Sequence, residues 1–92
     1  MQEVKFQTET ATPAMPQGAD AMFELGLIYC LGRGVETNLV IAHKWFNLTA
    51  SFGCEAAKSY RAELVREMSA QQVAEAQREA RMWKDQAAAA AA

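Results

Sequence analysis

The thiol and imidazole side chains of this chain belong to Cys30, His43 and Cys54, and these groups are suited to nucleophilic or zinc chemistry. A thiolate beside an imidazole can attack a carbonyl carbon, and thiolates together with imidazoles bind zinc. The two cysteines lack the CxxC spacing of a structural zinc site, and His43 is the only histidine of the chain. Because this set provides too few ligands, we expect no metal site, no cofactor and no catalytic residue.

The surroundings of these residues in the sequence favour a packing role over a chemical one. His43 is followed by Lys44 and Trp45, and a lone histidine without an evident nucleophile beside it is more often packed or exposed than catalytic. We interpret Cys30 and Cys54 as reduced thiols that act as small apolar side chains, since nothing indicates an oxidising compartment. The alternative is a small enzyme or ligand-binding helical domain whose pocket lies near His43 and Cys30.

Composition limits the class of protein further. The chain has 92 residues, of which 51% are hydrophobic and 22% are charged, and its net charge is −2. The length predicts one domain, and the absence of a basic excess argues against nucleic-acid binding. No apolar run is long enough to span a bilayer, and the first residues lack the apolar core of a secretory signal. We therefore expect a cytoplasmic protein without a membrane partner.

The apolar periodicity predicts four helices within residues 18–86, preceded by a flexible arm over residues 1–17 and followed by an alanine tail over residues 87–92. The first helix is predicted from Ala19 to Leu31, and Gly26 at its centre indicates a close approach of another helix. The glycines of the following turn suit left-handed backbone positions. We expect the apolar side chain of Val35 to fill the gap between the first two helices.

The second helix is predicted to begin after Asn38, a favoured N-cap residue, and to extend to about Phe52. Its apolar residues lie on two sides, which is typical of a helix packed between neighbours. The third helix is predicted over 54–68. Ser69 and Gln72 form a capping box that begins the fourth helix, which has one apolar and one polar face. The side chains expected to be mostly buried are Leu25, Tyr29, Ala42, Trp45, Phe46, Leu64 and Trp83.

Residues 18–53 resemble one unit of the Sel-one-like repeat family, whose members are tetratricopeptide-related α/α solenoids. The family pattern of L-G, Y, G-x-G-V, A, W, A and G agrees with this segment in residue type and spacing. The positions that we assign to the repeat motif are Ala21, Leu25, Gly26, Tyr29, Gly32, Gly34, Val35, Asn38, Ala42, Trp45, Phe46, Ala50 and Gly53.

Residues 54–86 resemble a degenerate second repeat that closes the stack. Arg61 and Ala62 stand where the family has L-G, and no G-x-G-V follows. The resemblance implies an all-α fold of two stacked antiparallel helical hairpins, and a non-catalytic scaffold that binds another protein. Because solenoids usually need three or more repeats for stability, we also expect a homodimer or docking on a larger partner.

Overall fold

A computed structural model describes residues 18–91, which form four α-helices. We number them α1 (Gly18–Leu31), α2 (Leu39–Ser51), α3 (Glu55–Val65) and α4 (Ala70–Ala91). The described part of the chain contains no strand, which confirms the all-α prediction. The predicted arm, residues 1–17, lies outside the described residues.

The connections between helices follow the local signals of the sequence. Gly32 and Gly34 adopt positive φ angles of 70° and 74° in the turn after α1, and Gly53 has a φ of 94° after α2. Asn38 caps α2 because its Oδ1 atom accepts a hydrogen bond of 3.0 Å from the Ile41 backbone N–H. The glycines at 32, 34 and 53 supply left-handed backbone conformations that other residues adopt only with strain.

Ser69 and Gln72 form the predicted capping box at the start of α4. The Gln72 N–H donates to Ser69 Oγ at 3.0 Å, and the Ser69 N–H donates to Gln72 Oε1 at 2.9 Å. The helix before this box ends at Val65 rather than at Met68, because residues 66–68 form the turn that leads into the cap. The alanine tail continues α4 as far as Ala91.

Helix α2 is the central element, and it packs along each of the other three helices. Its residues Ala42, Phe46 and Ala50 form a core with Ala57 and Leu64 of α3. The Phe46 ring stacks on Tyr60 with centroids 5.1 Å apart and contacts Phe23 of α1 at 5.6 Å. These aromatic contacts join α1, α2 and α3.

A second core lies between α1, α2 and α4. Met22, Trp45, Leu48 and Ala80 are buried there, and the Trp45 and Trp83 rings meet edge to face with centroids 5.9 Å apart. Because α3 and α4 approach α2 more closely than they approach each other, α2 links the two cores. The packing is consistent with a stack of helical hairpins.

The predicted core residues divide into two groups. Ala42, Trp45, Phe46 and Leu64 are buried as expected. Leu25, Tyr29 and Trp83 are only partly buried. They pack against the two cores as partly buried residues, because a domain of so few helices encloses only a small part of its apolar surface completely.

Candidate functional site

Some of the residues assigned to the repeat motif are buried between helices, and others lie at the surface. Gly26 is buried against the Phe46 ring, while Ala21 is partly buried. Val35 was expected to fill the gap between α1 and α2, but this is wrong: its side chain is 38% exposed. The turn that contains Val35 lies at the surface, where water can form hydrogen bonds with its backbone polar groups.

His43 is buried in α2 and is only 2% exposed. Its Nδ1 atom has no hydrogen-bond partner. Burial lowers the pKa of His43, and the positive charge of Arg61 lowers it further. Arg61 itself donates a hydrogen bond of 2.9 Å to Asn47 Oδ1, one turn along α2 from the histidine. The buried imidazole therefore favours its neutral form.

Both cysteines are free thiols that pack against the core containing Phe46. Burial raises the pKa of Cys30, and the negative charge of Glu67 raises it further. A raised pKa reduces the thiolate fraction, and the thiolate is the nucleophilic form. The environment of Cys30 therefore makes it a weaker nucleophile than a free cysteine.

A groove of about 940 Å³ lies between α1, α2 and α4, and we call it the three-helix groove. Apolar side chains from α1 and α2 form one part of its surface, with Trp45 at the junction with the buried core. Polar side chains from α4, from Thr37 and Asn38 before α2, and from Lys44 within α2 form the rest. The residues that line it are Leu25, Tyr29, Thr37, Asn38, Leu39, Val40, Ile41, Lys44, Trp45, Gln72, Glu75 and Glu79.

Neither His43 nor Cys30 is among these lining residues. Of the residues assigned to the repeat motif, the groove includes Leu25, Tyr29, Asn38 and Trp45. The structure thus gives Trp45 two roles, since it is buried beside Leu48 and also contributes to the groove. The sequence analysis expected Trp45 to be mostly buried.

Sequence reasoning missed the contribution of α4 to this groove. The pattern placed Glu75 and Glu79 on a solvated polar face, but both line the groove and Glu79 is partly buried. Lys44 lies on the opposite side, with its Nζ atom 4.5 Å from the centroid of the Trp45 ring. No local pattern could identify this juxtaposition, because it arises from the packing of α4 on α2.

A smaller cleft of about 220 Å³ lies on the other side of α4. Its polar lining residues are Asn47, Gln77, Arg81 and Lys84, and it contains no carboxylate. Within residues 18–91, no group of three or more His, Cys, Asp or Glu side chains is arranged to hold a metal ion. None of the helices in this range combines the length and apolarity needed to cross a membrane.

Comparisons with models of known protein families, with curated proteins and with solved structures gave no significant match.

Proposed function

We propose that this protein is a non-catalytic scaffold that binds a segment of another protein in the three-helix groove. The observation that carries the proposal is the groove itself, in which Leu25, Ile41 and Trp45 provide apolar surface beside charged groups of α2 and α4. Protein interfaces commonly combine an apolar centre with a polar rim. An amphipathic segment laid in such a groove would bury its own apolar face.

The resemblance of residues 18–53 to a Sel-one-like repeat supports the same function, because proteins of that family are helical scaffolds. Two features of the fold agree with a scaffold role: Gly26 permits close packing of α1 on α2, and Trp45 anchors α2 to α4. We place the scaffold in the cytoplasm, on the compositional argument given above.

The groove can be tested by placing a charge on its apolar surface. Val40 is a partly buried groove residue, whereas Met82 is an exposed apolar residue of α4 that lies outside the groove lining. Val40→Glu should abolish binding of the partner, while Met82→Glu should retain it. Circular dichroism of both variants establishes that the helical fold is intact.

Binding is measured in two steps. Affinity capture from the native cell, followed by mass spectrometry, identifies candidate partners of the parent protein. Each purified candidate is then titrated against the parent and the two variants by isothermal calorimetry. Equal binding by folded Val40→Glu and by the parent would show that the groove is not the binding surface.

A further inference from the structure

One side of the three-helix groove is acidic. Glu75 and Glu79 lie one helical turn apart on α4, and Gln72 lies close to one turn before Glu75. Residues at this spacing share one face of a helix, so the three side chains form a continuous polar border along the groove. Glu75 is exposed, whereas Glu79 is partly buried.

Lys44 offsets part of this negative charge. Its Nζ atom lies over the Trp45 ring at 4.5 Å. Burial lowers the pKa of Lys44, and the negative charge of Glu79 opposes that shift. The aromatic face and the nearby carboxylate together stabilise a positive charge at this point. Among the described residues that line the groove, Lys44 is the only cation, so none of them provides a second positive charge to match Glu75.

The negative charge of α4 that lines the three-helix groove is local to that groove, because the side of α4 that faces the smaller cleft is positively charged. Arg81 and Lys84 line the smaller cleft there without any carboxylate. A cationic partner segment would therefore be attracted to the three-helix groove and repelled by the smaller cleft. The charges of α4 thus favour one side for such a segment.

We propose that the segment bound in the three-helix groove is basic. It places an apolar side chain against Ile41 and Trp45 and a lysine or arginine beside Glu75. This inference rests on the function proposed above and adds the chemistry of the partner. An ion pair at an exposed position is weak and is screened by salt, so the apolar contact supplies most of the affinity and the charge supplies selectivity.

The test uses a display library of random short peptides as the probe. The library is selected in parallel against the full chain and against Val40→Gln, which makes the apolar part of the groove polar without changing its charge, and only peptides that need an intact groove are retained. We expect these peptides to be enriched in lysine and arginine close to an apolar residue. The best peptide is then synthesised with a fluorescent label, and its affinity is measured by anisotropy at low and at high salt.

Two variants with the same change in charge separate a local effect from a general one. Glu75→Gln should weaken binding of the basic peptide about two- to fivefold at low salt, and should reduce the salt dependence. Asp85→Asn changes an exposed residue of α4 outside the groove, so it should bind like the parent.

The outcomes of these experiments distinguish failure of the basic-segment proposal from failure of the proposed scaffold function. Groove-dependent peptides that are neutral or acidic would overturn the basic-segment proposal and leave the scaffold function standing. The same holds if Glu75→Gln binds a basic peptide as tightly as Asp85→Asn does. A selection that yields no groove-dependent peptide of any charge would overturn both proposals.

Discussion

Gly26 of α1 lies so close to Phe46 of α2 that a Cβ atom on residue 26 would be 2.5 Å from Cε1 of the phenylalanine ring. The ring is fully buried, at 0% exposure, and it also contacts Phe23 and Tyr60. It therefore has little room to move away. The absence of a side chain at residue 26 is what allows α1 and α2 to pack at this distance.

Gly26→Ala should destabilise the protein although alanine is the better helix former. The propensity gain is about 1 kcal/mol, whereas overpacking a well-filled core costs about 1–3 kcal/mol. We expect a net decrease in the free energy of unfolding, measured by urea denaturation. In the double variant Gly26→Ala/Phe46→Leu, the smaller side chain should relieve the overlap, so the loss should be less than the sum of the two single losses. Full additivity would contradict the close contact.

Two leucines provide a matched test of the core between α1, α2 and α4. Leu48 is fully buried, whereas Leu31 at the end of α1 is 57% exposed. Leu48→Ala should cost about 2–5 kcal/mol because it leaves a cavity, while Leu31→Ala should change stability by less than about 0.5 kcal/mol. Thermal and urea denaturation followed by circular dichroism measure both. Equal melting of the two variants would show that the core is misplaced.

Ser69→Ala should remove the hydrogen bond that the Gln72 backbone N–H donates to Ser69 Oγ at the start of α4. The expected loss is about 1 kcal/mol. Ser59 is an exposed residue within α3, and Ser59→Ala should leave stability unchanged or raise it slightly, since alanine is the better helix former. The same denaturation measurement compares the pair, and a loss of equal size in both would argue against the capping box.

His43 should make stability depend on pH in mildly acidic solution. Its pKa in the folded chain is lowered from 6.5 by burial and by Arg61. Well above pH 6.5 the imidazole is neutral in both the folded and the unfolded chain, so its titration does not change the free energy of unfolding there. As the pH falls below 6.5, the unfolded chain binds a proton that the folded chain does not, and the free energy of unfolding decreases until the lower folded pKa is reached.

The slope from this one group is at most about 1.4 kcal/mol per pH unit. Denaturation between pH 7 and about pH 5 measures it, a range above the usual pKa of carboxylates. His43→Gln removes the titrating group and should flatten the dependence. If the variant and the parent lose stability in parallel over this range, the buried histidine is not the cause.

Self-association is expected from the small number of repeats. Phe52 at the end of α2 is 59% exposed, and a second copy of the chain could cover apolar residues at the ends of the stack. Light scattering at high concentration should give an average mass above the 10.1 kDa of the monomer. A monomeric mass at high concentration, with no partner bound, would contradict this expectation.

Local signals in the amino-acid sequence were enough to predict the helices and most of their ends. Asn38, Ser69 and the glycines at 32, 34 and 53 act through the backbone within a few residues, so their roles can be recognised without knowing the fold. The end of α3 was placed too late, because the turn over residues 66–68 contains no glycine or proline to mark it. Phe46 and Trp45 were expected to be buried from helical periodicity and from the resemblance to the repeat, and both are buried.

The three-helix groove depended on long-range packing, and no local pattern predicted it. Glu75 and Glu79 belong to a polar helix face in the sequence, and they meet Lys44 and Trp45 only because α4 packs on α2. The exposure of Val35 and the lack of a hydrogen-bond partner at His43 Nδ1 also depend on how the helices pack, so no local pattern predicted them. Helical periodicity determines which residues share a face, whereas the contacts between faces depend on how side chains from distant segments fit together.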